Sequence, residues 1–177
     1  KDSNIVSLDL GGDRRPIKGE YDLIMNDRVD DVKSASDYSY THKFVDLETL
    51  QDNDPFGYVA QLVGYAVAAG KKVGGWWVVN KANGQHKYVS AKHVDVEAVL
   101  DKIRETYDYL ENDEPLQRQY TDEPETYRKQ TTGNRVLCRE CNFCSFKRSC
   151  WPDYQELPSK TYQGRKTPPT VSYTQIA

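Results

Sequence analysis

The chain has 177 residues, of which 37% are hydrophobic and 29% charged, and its formal net charge at pH 7 is -3. This length is typical of one ordinary domain with a small appendage. A sequence pI near 5.7 excludes a uniformly basic surface. No run of eighteen apolar residues is present, so no membrane-spanning helix is predicted, and no secretory signal precedes the domain. Because the chain begins at Lys1 without Met, we expect further sequence upstream.

The first part of the chain has the pattern of β-strands. Residues 4–10 alternate well enough for a strand, and the sequence GGDRRP that follows predicts a turn. Residues 17–25 and 28–33 are predicted to form a hairpin, with Asn26 and Asp27 as its tight turn. A short helix is predicted in the polar stretch that follows.

The segment 54–70 is the strongest helix prediction in the chain. Asp54 suits the N-cap, Pro55 suits the first helical position and Gly70 suits the end. Two runs of strand length follow, at 72–80 and 85–90. The sequence therefore predicts strand, helix and strand in succession.

The second half of the chain is more varied. Residues 95–112 place apolar side chains at helical spacing and predict an amphipathic helix. Residues 111–135 are polar and contain prolines, which favours a surface linker. The order of strands, helix, strands and helix predicts an α/β fold with a mixed β-sheet flanked by helices.

Acidic residues occupy positions of the predicted hairpin where a β-strand usually has apolar residues such as valine. A two-residue turn at Asn26 and Asp27 pairs residues whose numbers add to 53. Asp22 then lies opposite Asp31, and Glu20 lies opposite Lys33. Opposed like charges cost roughly 0.2–1 kcal/mol, which a divalent cation would offset. Aspartate and backbone carbonyl oxygens suit Mg²⁺ or Mn²⁺, and a lysine beside them can act on a phosphodiester. The alternative is a solvated sheet face with no chemical role.

The predicted helix at 54–70 carries a second group of polar residues. Gln61 and Tyr65 are four positions apart, and Tyr58 lies three positions before Gln61, so the three share one face. Taken alone, tyrosines at this spacing are as easily explained as core residues.

Three short motifs appear in a familiar order. They are G-x-x-D at Gly19–Asp22, D-x-K at Asp31–Lys33 and Q-x-x-x-Y at Gln61–Tyr65. Their combination resembles the PD-(D/E)XK nuclease superfamily, in particular its RecB-like exonuclease branch, over roughly residues 17–152. The resemblance implies a restriction-endonuclease-like fold and a Mg²⁺- or Mn²⁺-dependent deoxyribonuclease.

The resemblance also implies roles for single residues. Asp22, Asp31 and the carbonyl of Val32 would bind the metal, Lys33 would be the catalytic lysine, and Gln61 and Tyr65 would position the scissile nucleotide, with Tyr58 beside them. Glu20 is added as a residue that holds Lys33, on the predicted pairing alone. Two features depart from the family pattern. No proline precedes Asp22, and the acidic or histidine-bearing helix that precedes the strands in the family is not visible in this sequence, so it is either absent or upstream of Lys1.

Four cysteines, Cys138, Cys141, Cys144 and Cys150, form the pattern C-x2-C-x2-C-x5-C. Such crowding favours a bound metal over core packing, although disulfides remain an alternative. Separated pairs are typical of zinc, whereas a C-x2-C-x2-C loop is typical of an iron–sulfur cubane. The resemblance extends to phage exonucleases and to the iron–sulfur nucleases of CRISPR spacer acquisition, so we expect a [4Fe–4S] cluster, with zinc as the alternative. Its role would be to staple a C-terminal extension to the nuclease core.

Residues 1–135 are thus predicted to form the nuclease core, 136–153 the cysteine segment and 154–177 an extended tail. Trp76 and Trp77 are expected on opposite sheet faces, and Lys81 is a candidate phosphate contact. The predicted function is DNA exonuclease activity in recombination, repair or phage DNA processing. The setting would be the cytoplasm of a bacterium or of a phage-infected host, with a recombination or replication protein as a possible partner. The alternative is an inactive module of nuclease fold, or a metal-cluster module, that binds DNA or a protein.

Overall fold

The computed structural model describes residues 4–52, 54–112, 117–162 and 166–177. The chain divides into two compact units, residues 1–113 and residues 114–177. Among the described residues, no helix has both the length and the apolar character that crossing a membrane requires.

The described residues of unit 1 form six strands and four helices. In chain order they are β1 Ile5–Leu8, β2 Ile17–Glu20, β3 Leu23–Met25, β4 Arg28–Ala35, α1 Asp37–His42, α2 Leu47–Asp52, α3 Tyr58–Ala68, β5 Lys72–Asn80, β6 His86–Ser90 and α4 Val96–Glu111.

The main sheet of unit 1 has four strands in the order β3-β4-β5-β6. β4 and β5 run parallel, whereas β3 and β6 pair antiparallel to their neighbours. The parallel pair requires a long crossover, and α1, α2 and α3 provide it. The prediction of an α/β fold with a mixed sheet and flanking helices is therefore confirmed.

The acidic hairpin has the predicted register but is shorter than expected. Met25 lies opposite Arg28 and Leu23 opposite Asp30, and both turn residues, Asn26 and Asp27, adopt positive φ, as a two-residue hairpin turn requires. The predicted strand 17–25 is interrupted at Tyr21 and Asp22.

β2 leaves the main sheet because it pairs with β1 in a separate two-stranded sheet. Glu20 consequently lies opposite Ile5. The predicted pairing of Glu20 with Lys33 is wrong for this reason, since pairing with β1 redirects the chain before it reaches the hairpin.

Helix α3 packs its apolar side on the main sheet. Leu62 and Ala66 of α3 belong to one buried cluster with Val29, Trp76 and Val78 of the sheet. A smaller second cluster includes residues of α4 and the first strand.

The two tryptophans of β5 point in opposite directions, as predicted. Trp76 is fully buried in the first cluster, whereas Trp77 packs beside Tyr88 with ring centroids 4.9 Å apart. The side of the sheet that carries Trp77 is the more exposed one, with Val32 and Val79 open to solvent.

Unit 2 is built around a four-stranded sheet in the order β7-β8-β10-β9. Its elements are β7 Asp122–Tyr127, β8 Gln130–Leu137, α5 Arg139–Asn142, α6 Lys147–Cys150, β9 Gln155–Pro158 and β10 Thr170–Gln175. The sequence prediction differs from this structure in two places. The predicted linker 111–135 contains β7 and most of β8, and the predicted tail 154–177 contains β9 and β10. The boundary between the units therefore falls at 113, not at 135.

Polar side chains join the strands of unit 2. Glu125 is buried and accepts hydrogen bonds from Asn134 Nδ2 at 2.7 Å and from the Tyr173 hydroxyl at 3.0 Å. Asp122 binds Arg135 at 2.6 Å and accepts from Thr174 at 2.6 Å. Hydrogen bonds from Arg135 and Thr174 lower the pKa of Asp122 from 3.8 to about 2.

Gly74 of β5 lies in close contact with β4. A Cβ at this position would overlap Asp30 Oδ1 and would lie 2.6 Å from the Val29 carbonyl oxygen, whereas a Cβ on Gly64 would meet only Leu8 Cδ2, at 3.5 Å. Gly74→Ala should lower the free energy of unfolding by about 1–3 kcal/mol through overpacking. Gly64→Ala, in the interior of α3, should raise it by roughly 0.5–1 kcal/mol. Urea denaturation measures both, and equal effects would contradict the packing described.

Asp122 should contribute to the acid stability of unit 2. Its pKa is lower in the folded state, so its contribution is present above the ordinary value of 3.8 and is lost as the pH falls toward about 2. In Asp122→Asn, amide hydrogen exchange in β7 and β8 should change less between pH 4 and pH 2 than in the wild type. Asp101→Asn, which alters an exposed pair with Arg104, is the control. An unchanged acid response in Asp122→Asn would refute this role.

Candidate functional site

The ammonium of Lys33 is the centre of a polar chain in unit 1. Lys33 Nζ lies 2.9 Å from Asp31 Oδ2 and 2.9 Å from Gln61 Oε1. Gln61 Nε2 in turn donates to the Tyr65 hydroxyl at 3.0 Å, and Lys33 Nζ lies 4.9 Å from the centre of the Tyr58 ring. The structure therefore brings the D-x-K motif into contact with the Q-x-x-x-Y motif. Lys33 of the first and Gln61 of the second are 28 residues apart in the sequence.

Asp31 lies on the side of β4 that faces α3 and is only 3% exposed. Lys33 Nζ also donates to Asp31 Oδ1 at 3.2 Å, whereas Oδ2 has no solvent contact and no hydrogen bond of good geometry. Burial raises the pKa of Asp31, Lys33 opposes that rise, and the negative charge of Asp22 adds to it. The buried carboxylate is thus incompletely satisfied by the protein.

Asp22 stands at the interruption between β2 and β3. Its Oδ2 accepts a hydrogen bond from the Val32 amide at 2.7 Å, which fixes the carboxylate against β4. Asp22 is close enough to raise the pKa of Asp31. The predicted neighbourhood of Asp22 and Asp31 therefore exists, although a bend rather than a ladder pair produces it.

Two local features hold α3 in place. The Asp54 carboxylate accepts from the amides of Tyr58 and Val59, both at 2.8 Å. Asp54 thus binds the first amides of α3, but the helix begins at Tyr58 and its N-cap residue is Gly57. The predictions of Asp54 as the N-cap and of Pro55 as the first helical residue are therefore wrong. A Cβ on Gly19 would overlap the ring of Tyr65. The glycine of G-x-x-D is therefore the residue that lets Tyr65 approach β2.

A cavity adjoins the polar chain on the other side of Gln61 and Tyr65. Its volume is about 280 Å³ and its lining is mostly apolar. It is lined by Val6, Leu8, Ile17, Lys18, Gly19, Ala60, Gln61, Gly64, Tyr65, Ala68 and Ile103. Gln61 and Tyr65 thus separate a charged site from an apolar one.

Two predicted residues lie apart from this group. Glu20 lies in the β1–β2 sheet, opposite Ile5. Lys81 is exposed and follows the end of β5, and its backbone amide donates to the Ala35 carbonyl at 2.9 Å. Neither residue makes a described contact with Lys33 or Gln61.

Asp30 is a buried polar residue that the sequence patterns did not single out. It is 1% exposed and accepts from the Tyr88 hydroxyl at 2.8 Å. Burial and the bond to Asp30 raise the pKa of Tyr88 to about 12. Side chains alternate between the two faces of a strand, so Asp30 lies on the face opposite Asp31. This alternation is the feature of the sequence that could have indicated different roles for the two adjacent aspartates.

The residues at the hairpin fit a hard divalent cation in part. Mg²⁺ is commonly bound through one or two carboxylates, with the remaining positions taken by water and substrate phosphate. Asp22 and Asp31 supply two carboxylates, and the unsatisfied Oδ2 of Asp31 is an available donor atom. Within the described ranges, no three His, Cys, Asp or Glu side chains converge as a metal site.

The cysteine segment belongs to unit 2. Cys138 and Cys141 are buried, Cys150 is partly buried and Cys144 is exposed, and all four are free thiols. Burial and, after it, the neighbouring Cys138 raise the pKa of Cys141 to about 11. Cys138 and Cys141 are thus neighbours in a small cluster with Leu137 and Tyr154. That all four bind one metal cluster stays a prediction.

Comparison of the chain with protein-family models, with curated proteins and with solved structures gave no significant match.

Because the Asp31 carboxylate is incompletely hydrogen-bonded, divalent cations are predicted to stabilise the folded protein. Mg²⁺ or Mn²⁺ should raise the thermal unfolding temperature of the wild type, by the equivalent of about 2.7 kcal/mol at a cation concentration one hundred times Kd. Asp31→Asn should lose most of this increase because it removes a charged donor. Differential scanning fluorimetry measures the shift, with Asp101→Asn as the matched control. An equal shift in all three proteins would place the cation elsewhere.

Proposed function

We propose that unit 1 is the catalytic part of a metal-dependent DNA exonuclease, of restriction-endonuclease-like fold, that acts in recombination, repair or phage DNA processing. The observation that carries the proposal is the position of Lys33. Its ammonium is held between the buried carboxylate of Asp31 and the side chain of Gln61, with Asp22 nearby. A cation held in this way beside two carboxylates suits phosphodiester hydrolysis.

Asp22 and Asp31, with the Val32 carbonyl, would hold the Mg²⁺ or Mn²⁺. A bound metal of this kind supplies Lewis-acid stabilisation of the phosphate and lowers the pKa of a coordinated water. The protein's own residues then have separate tasks. Lys33 carries a positive charge toward the phosphate, where charge develops during displacement.

Gln61 restrains the Lys33 ammonium through its carbonyl oxygen, while its amide group binds the Tyr65 hydroxyl. Tyr65 is fixed in turn by its close approach to Gly19. Gln61 and Tyr65 therefore act as positioning residues in this proposal. The Tyr58 ring, below the ammonium, keeps that side of Lys33 apolar.

For unit 2 we propose a structural metal cluster at the four cysteines, [4Fe–4S] or zinc. The enzyme would act in the cytoplasm of a bacterium or a phage-infected host, with DNA as substrate and a recombination or replication protein as a possible partner.

One observation favours the alternative of a non-catalytic binding module. In the described part of the chain only two carboxylates meet at the hairpin, and no third metal-ligating side chain joins them. A site with two carboxylates binds a cation more weakly than one with three, and the polar chain would then serve to bind a phosphate without cleaving it.

Digestion of end-labelled linear DNA in Mg²⁺ or Mn²⁺ distinguishes these functions. The wild type should release mononucleotides, and Lys33→Ala should lower the rate by roughly 10²–10³-fold, as expected for loss of one charged group at the transition state. The position of the label that is lost first would give the polarity.

Lys102→Ala is the matched control because Lys102 is an exposed lysine on α4, and it should leave the rate unchanged. Circular dichroism verifies that Lys33→Ala is folded. DNA binding by both proteins without cleavage by either would support the binding module and overturn the nuclease proposal.

A further inference from the structure

A second cavity of unit 1 lies where the strands of the main sheet begin. Its volume is about 590 Å³, within the range typical of small-molecule sites. It is lined by Asn26, Arg28, Val67, Lys71, Lys72, Val73, Lys92, Val94 and Val96. We call it the basic pocket, because four of its nine lining residues are cationic and none is acidic.

Three carboxylates close to the basic pocket in the sequence have partners of their own. Asp27 binds Lys71 at 2.7 Å, Asp30 accepts from Tyr88 at 2.8 Å, and Asp95 accepts from the Ala98 amide at 3.1 Å. Within the described part of the chain, Lys71 is the one pocket cation that makes an ion pair. Among the described residues, Arg28, Lys72 and Lys92 make no ion pair, although the charge of Asp27 also acts on Lys72.

Arg28 supplies an independent sign of a missing partner. Its Nε atom has no solvent contact and no hydrogen bond acceptor among the described residues. A buried N–H without a partner costs about 1–3 kcal/mol, more for a charged group. An anion in the basic pocket would offset the positive charge of Arg28, which lines it.

The C-terminal end of α3 offers a competing explanation for these cations. Lys71 lies three residues beyond the end of α3 and its amide donates to the Ala66 carbonyl, so it lies beside the negative end of the helix dipole. That end is equivalent to about half an elementary charge. One lysine is sufficient to neutralise it, and Arg28 and Lys92 come from other segments of the chain.

We propose that the basic pocket binds a phosphate group. A phosphate matches the excess of positive charge and offers several acceptor oxygens. Arg28 begins the strand that carries Asp31, three residues earlier, so the pocket lies about 10 Å along β4 from the hairpin site. This distance corresponds to about three nucleotides of one strand at 3.4 Å each. A strand at the hairpin site is therefore one source of the phosphate, and a free nucleotide is the other.

The test is DNA binding in EDTA, which requires no cleavage and so is independent of the proposed nuclease activity. Fluorescence anisotropy with labelled single-stranded and duplex oligonucleotides gives Kd at several salt concentrations. Lys72→Ala and Lys92→Ala each remove one exposed lysine of the pocket. Each should weaken binding and reduce the slope of log K against log salt by about one. Lys102→Ala makes the same charge change elsewhere and should leave the slope unchanged.

A second arm identifies the source of the phosphate. Binding of inorganic phosphate and of dAMP is measured by NMR titration of the backbone amides around Arg28, Lys72 and Lys92. A changed salt slope supports a phosphate of the DNA strand. An unchanged slope, with phosphate or dAMP binding that Lys92→Ala removes, supports a free nucleotide instead. Neither effect would overturn the phosphate site.

Discussion

The burial of the Asp31 carboxylate is the constraint on which the candidate site depends. Placing an ionised group in the interior is costly unless it is paired and hydrogen-bonded. Here Lys33 provides the one described ion pair, and the Oδ2 atom of Asp31 has no hydrogen bond of good geometry. Lys33 is in turn fixed by Gln61. Lys33 compensates the buried charge of Asp31 on β4 and also binds Gln61 on α3. These contacts join β4 to α3.

The strand pairing and the crossover of unit 1 position Asp31 and its partners. The parallel pairing of β4 with β5 requires a crossover, and the last helix of that crossover, α3, lies across the face that carries Asp31. Alternation along β4 separates Asp31 from Asp30, so that one aspartate meets a lysine and the other a tyrosine. Positive charge accumulates where β4 and β5 begin, and Asp27 neutralises part of it by binding Lys71. Unit 1 therefore has an acidic site and a basic pocket, which together suit a phosphodiester backbone.

Local patterns predicted the hairpin turn, its register and α3, because a turn such as Asn26-Asp27 and a capped helix are set by neighbouring residues. They did not predict the break at Asp22, which depends on the pairing of β2 with the distant β1. The β7–β8 hairpin was missed because its turn residues, Arg128 and Lys129, adopt positive φ without glycine or asparagine. The basic pocket combines segments far apart in the chain, which no short window of sequence contains.

The central claim is that Asp31 serves a divalent cation in phosphodiester cleavage. The most direct measurement is the rate of cleavage of one defined DNA end as a function of Mg²⁺ concentration, in the wild type, Asp31→Asn and Asp101→Asn. The account predicts saturable activation of the wild type and of Asp101→Asn, and a rate at least about 100-fold lower in Asp31→Asn. The same metal dependence and rate in Asp31→Asn as in the wild type would contradict it.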